Sequence, residues 1–186
     1  MGTDLLLELT RRHLEPHRHY HTLERIAAML HEGRRFPLDQ EQTLAIWFHD
    51  ALLDPTSDQN HRRSARLAAS RLVDAGFEHD AVDRICRMVL DLRGSAPSSP
   101  QAAPVVDLDQ MALAVPWPLF EHNTLLLRAE HDHLSDEQFM RQRLGWYERL
   151  LAREQLFFTA WGRTLEAAAR HNMQRALAAA DVTAKQ

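Results

Sequence analysis

Residues 44–55 read LAIWFHDALLDP. An apolar run with helical spacing reaches His49 and Asp50, continues through Leu53 and meets a stop at Pro55. Two polar side chains therefore sit where a buried helix should be apolar. A buried imidazole or carboxylate loses its hydration and must recover that loss through a hydrogen bond, an opposite charge or a metal ion. The rest of the chain has to supply the partner.

Outward from this stretch the apolar spacing stays helical, with Leu, Ala, Arg and Glu dominant and few β-branched runs. The fold class predicted is all-α, a single-domain helical bundle over residues 1–182, since 186 residues hold one substantial core and are short for two. DLLLELTRRHL (residues 4–14) is a first helix closed by Pro16, and HTLERIAAMLHEG (21–33) a second that stops at Gly33. Pro37 and Asp39 introduce a third, EQTLAIWFHDALLD (41–54). HRRSARLAASRLVDAGF (61–77) ends at Gly76, and DAVDRICRMVLDLRG (80–94) at Gly94. Residues 95–104, SAPSSPQAAP, carry no periodicity and read as a surface loop or lid. VVDLDQMALAV (105–115) stops against PWP, and LFEHNTLLLRAEHDHL (119–134) follows. SDEQ opens a long helical region over 135–180 with a break near Gly162, and residues 183–186 read as a frayed tail.

Composition narrows the function. With 26 acidic against 22 basic residues the net charge is -4, which gives no general field for DNA or RNA. Cys86 is the single cysteine, so an intrachain disulfide framework is excluded. No segment has the length of a signal peptide or a membrane span, and the expectation is a soluble cytoplasmic protein without a membrane partner.

Partners for His49 and Asp50 are offered by RHYHTLER, which carries His21, and by VVDLDQM, which carries Asp107 and Asp109. A set of His21, His49, Asp50 and one of those aspartates is a mixed nitrogen and oxygen site, suited to one divalent transition metal such as Mn, Fe, Ni, Co or Zn and not to calcium. The plainer alternatives are a histidine at a helix end, a solvated aspartate and an N-cap. Trp47, Phe48 and Trp146 read as core.

The ordered series RHYHTLERI, AIWFHDA, NHRRSA, RMVLD, DLDQM, LRAEH and ARHN, spanning residues 18–172, resembles the HD superfamily of metal-dependent phosphohydrolases. The finer wording is similar to a branch of small bacterial proteins described as predicted metal-dependent HD phosphohydrolases. Three positions depart from that branch. Arg25 stands where it has a second histidine, His61 where it has an acidic residue, and Asp91 near a histidine position. The resemblance leaves open whether the first ligand is His21 or the position of Arg25; in the second case His21, one turn away, would have to take over.

What the resemblance implies is a bundle of the HD-domain type that hydrolyses a phosphate ester, with a small phosphorylated molecule such as a nucleotide as partner. His21, His49, Asp50 and Asp109 would hold the metal, with Asp107 behind them as cap or support. Asp50 would also orient the attacking water, and His61 would shuttle the proton in place of the family's glutamate. Arg25, Arg62 and Arg128 are the candidate substrate contacts, although an Arg128–Glu130 pair tying the late helices to the core is an equal reading. The alternative function is a degenerate HD-like domain that binds a nucleotide or a protein partner without turnover.

Overall fold

The structure, a computed structural model, describes residues 2–183; the last three residues of the tail read as frayed lie outside the described residues. The order is α1 (Thr3–His13), α2 (Leu23–Glu32), α3 (Gln40–Phe48), α4 (Asn60–Asp74), α5 (His79–Gly94), α6 (Ala103–Gln110), α7 (Trp117–Glu130), α8 (Asp136–Leu151) and α9 (Ala160–Thr183). No strand occurs among the described residues, and no helix among them is long and apolar enough to cross a membrane. The fold is all-α.

Local chemistry starts the helices that matter. Asp39 accepts from the Gln42 N–H while the Gln42 side chain accepts from the Asp39 N–H, a capping box that launches α3. Ser135 and Gln138 do the same for α8. Once started, α3 is buried nearly all round, with Leu44, Ala45, Ile46 and Phe48 all enclosed. It packs on α2, α4, α5 and α6, so its apolar run is the centre of the first half of the molecule. A second apolar cluster, built on Phe120, Tyr147, Leu150, Phe157 and Met173, joins α7, α8 and α9.

The expected helix over 41–54 ends early. α3 stops at Phe48, His49 is its C-cap residue and Asp50 opens the turn that follows. Arg18, itself buried, provides the reason: its guanidinium donates to the carbonyls of Asp50 (2.8 Å), Ala51 (3.2 Å) and His21 (3.1 Å). A continuing helix would need an N–H at position 55 for the Ala51 carbonyl, and Pro55 has none. Thus the His-Asp pair lies at a helix end, where both side chains can face one space.

The break in the late region also moves. It covers residues 152–159, and Gly162 stands in the first turn of α9. Asp107 makes this turn: one carboxylate oxygen accepts from the Phe158 N–H (2.8 Å), the other from the Thr159 N–H and hydroxyl (both 2.7 Å). A Cβ at Gly162 would collide with that carboxylate and stand 2.8 Å from Phe157 Cβ. Gly162→Ala should therefore cost about 2–4 kcal/mol, overpacking plus a damaged cap, as a lower urea midpoint. An unchanged midpoint would remove this account of the α6–α9 junction.

Residues 95–104, read as a loop or lid, are tied down at both ends. Ser95 adopts the left-handed region (φ 49°), and Arg153 donates to the Gly94 and Ser95 carbonyls, each at 2.8 Å. Asp91 accepts from the N–H and hydroxyl of Ser98, and the segment then turns through a 3-10 stretch, Pro100–Ala102, into α6. Asp91 is thus engaged with this loop.

Candidate metal and anion site

Two imidazoles are fixed by their Nδ1 atoms. His49, 1% exposed, has Nδ1 2.7 Å from the Ile46 carbonyl; a carbonyl only accepts, so Nδ1 carries the proton. Its Nε2 is buried without a hydrogen-bond partner, yet stands 3.0 Å from Asp50 Oδ2 and 3.8 Å from Asp109 Oδ1. A bare lone pair that close to a carboxylate oxygen calls for a proton or a cation. Burial works against charge on His49, but Asp50 and then Asp109 outweigh it and raise its pKa.

His21 repeats the arrangement. Its Nδ1 lies 2.6 Å from Glu130 Oε2, which leaves Nε2 facing Asp50 Oδ2 at 3.8 Å. Glu130 holds the whole approach to this residue, because its Oε1 accepts from the backbone N–H groups of His19, Tyr20 and His21 (3.0, 2.8 and 2.8 Å). Burial alone would raise the Glu130 pKa; the hydrogen bond and charge of His21, with the backbone donors, bring it down to about 2.

His61, from the first turn of α4, places Nε2 3.9 Å from Asp50 Oδ1. Its burial lowers the pKa, and Asp50 restores only part of that loss. Asp50 is the hub: burial would raise its pKa, but His49 first and His21 next hold it well below the ordinary carboxylate value. Asp109 on α6 is engaged differently. Arg25 Nη2 donates to its Oδ1 (2.5 Å) and to its backbone carbonyl (2.8 Å), while Nη1 donates to the Tyr20 hydroxyl (2.8 Å). Arg25 Nε is buried without a partner.

Donor atoms that share an ion at about 2.1 Å stand about 3–4 Å apart, so the pair separations here suit a common ion. Both anchored imidazoles also follow the usual pattern of metal-bound histidine, with one nitrogen tied to a carboxylate or carbonyl and the other free. Among the described residues, however, no group of three or more His, Cys, Asp or Glu is arranged so that it could hold an ion. The donors are of the types that bind a divalent ion and stand at suitable distances pair by pair, but three or more of them do not converge on one point.

Beside these groups lies a cavity of about 210 Å³ that draws on both apolar clusters; His49 and Glu130 stand behind its lining. Tyr20, His21, Arg25, Asp50, His61 and Asp109 line it, with Leu113, Phe120, Leu127 and Trp146 as apolar lining and Arg93 and Arg143 as further cations.

Other predicted site residues lie elsewhere. Arg62 bonds Gln59 at the surface, and Arg128 bonds Asp136 and the carbonyls of His131 and Leu134 beyond the end of α7. Neither lines the cavity. Asp107 caps α9 as described, and Glu130 pairs with His21 in place of Arg128. Sequence reasoning missed Arg18, Tyr20 and Arg143 altogether. Arg18 and Tyr20 flank His21 inside RHYH and could have been suspected, whereas Arg143 falls in none of the motifs.

Comparison with known proteins finds no family model, no curated protein and no solved structure that matches this chain.

Proposed function

We propose that the protein is a metal-dependent phosphohydrolase acting on a phosphate ester. One observation carries this reading: the Nε2 atoms of His21, His49 and His61 face the single carboxylate of Asp50 at 3.8, 3.0 and 3.9 Å, and the first two are anchored through Nδ1. His21, His49, Asp50 and Asp109 would hold one divalent transition metal. Such an ion acidifies water toward neutral pH and offsets charge on a phosphoryl oxygen.

The chain's own groups do the rest. Asp50 orients the attacking water through the oxygen it turns toward His61. His61 accepts the proton as water oxygen bonds to phosphorus, and as the ester P–O bond breaks the departing alkoxide oxygen takes that proton from His61 and leaves as the alcohol. Arg25 balances the charge of Asp109 at the edge of the cavity.

A second reading is favoured by the Arg25–Asp109 pair, which already matches the charge of one proposed ligand. On that reading the cavity binds a phosphorylated ligand or a protein partner without turnover. Phosphate release from p-nitrophenyl phosphate separates the two. The hydrolase should release phosphate with added Mn, Co, Ni, Fe or Zn, and lose at least about 10-fold of that rate on chelation. No release with any of the five metals would leave the binding reading.

A further inference from the structure

Arginine is the natural partner of a phosphate, and the cavity offers three of them. Arg25 is spent on Asp109 and Tyr20, and Arg93 has Asp58 at 3.5 Å. Arg143, on α8, has no carboxylate partner among the described residues. Its Nε donates to the Tyr147 hydroxyl (2.8 Å), and its guanidinium lies over the rings of Trp146 (4.6 Å) and Tyr147 (4.9 Å). Tyr147 is only 1% exposed, so the clamp is part of the core. Arg143 stands between this cavity and a groove along α7, α8 and α9 that it also lines, and both terminal nitrogens lack an acceptor among the described residues.

We infer that Arg143 is the anion-binding residue of the cavity and that the substrate is a phosphomonoester smaller than a nucleotide, an inference that rests on the phosphohydrolase reading for its chemistry. The two free nitrogens match two terminal phosphate oxygens in a bidentate contact. The organic group lies against the apolar lining from Phe120, Leu127 and Trp146. Size sets the limit: sites for drug-sized ligands run from about 300 to 1,000 Å³, and this cavity has about 210 Å³. It takes a phosphate with a compact apolar group, and a nucleoside would have to extend out of it into solvent.

The test is calorimetric titration of the full chain without added metal, using inorganic phosphate, phenyl phosphate and AMP on wild type, Arg143→Met and Arg143→Lys. Arg143→Met should bind inorganic and phenyl phosphate roughly 10- to 100-fold more weakly, as loss of a charged hydrogen-bond pair predicts. Arg143→Lys, which keeps the charge and loses the fork, should fall between, and wild type should bind phenyl phosphate more tightly than AMP. Equal phosphate affinity in wild type and Arg143→Met, absence of phosphate binding in wild type, or tighter AMP than phenyl phosphate would each overturn the inference. Failure of hydrolysis is read separately: wild type that binds phosphate through Arg143 but turns nothing over removes the enzyme reading and keeps this anion site.

Discussion

His49→Ala is expected to lower metal-dependent phosphate release by at least about 100-fold, since losing a residue that merely supports a ligand already costs 10- to 100-fold. The reason lies in how His49 is held. Its Nδ1 is fixed on the Ile46 carbonyl, so Nε2 has one direction available, and that direction carries it to Asp50 and Asp109. His49 and its neighbours Ile46 and Phe48 are fully buried, so the position is closed to solvent. Alanine also leaves a void at a fully buried position, with an expected stability loss of about 2–4 kcal/mol. Asp50→Asn therefore accompanies it, keeping shape while removing the charge that His21, His49 and His61 face. Folded variants of both kinds with wild-type rates would remove the proposed catalytic set.

Glu130→Ala should be the most damaging change to stability, about 3–5 kcal/mol by urea unfolding. Alanine would strand three backbone N–H groups and the Nδ1 proton of His21, and the segment carrying Tyr20 and His21 would lose its tether to α7. A loss under about 1 kcal/mol would contradict this, since one buried donor left unpaired already costs about that much.

The same carboxylate fixes a pH dependence. Its pKa is about 2 in the fold against an ordinary 4.5, so the unfolded chain binds the extra proton in between. Stabilisation from Glu130 is complete above pH 4.5 and is lost as pH falls from 4.5 toward 2, to a total of roughly 3 kcal/mol. The stability gap between wild type and Glu130→Gln should shrink across that window. A gap that stays constant would mean the carboxylate carries no such linkage.

Most helices were legible because their signals are local: Asp39 with Gln42 and Ser135 with Gln138 are capping pairs visible in the chain, and Gly76 ends α4's turn. The end of α3 was not legible, because Arg18, some thirty residues upstream, takes the carbonyls that decide it. The α9 start failed for the same kind of reason. A glycine inside a helical pattern suggests a break, but Gly162 is small to admit Asp107 from another helix.

The site divides along similar lines. His21, His49, Asp50, His61 and Asp109 were singled out from the sequence, and they do lie together. Arg62 and Arg128 were singled out as cations near motifs, yet a guanidinium's direction depends on which acceptors tertiary packing brings near it. Arg143 shows the converse. Nothing in its neighbourhood of α8 marks it among several arginines; its place at the cavity follows from Trp146 and Tyr147 holding its guanidinium, with Tyr147 packed on Phe120 of α7.

Elemental analysis by plasma mass spectrometry on gently purified protein, wild type beside His49→Ala, reaches the central claim most directly. The expected result is about one divalent transition metal per chain in wild type, lost in the variant. No metal in either, even after incubation with Mn, Fe, Ni, Co and Zn, would contradict it.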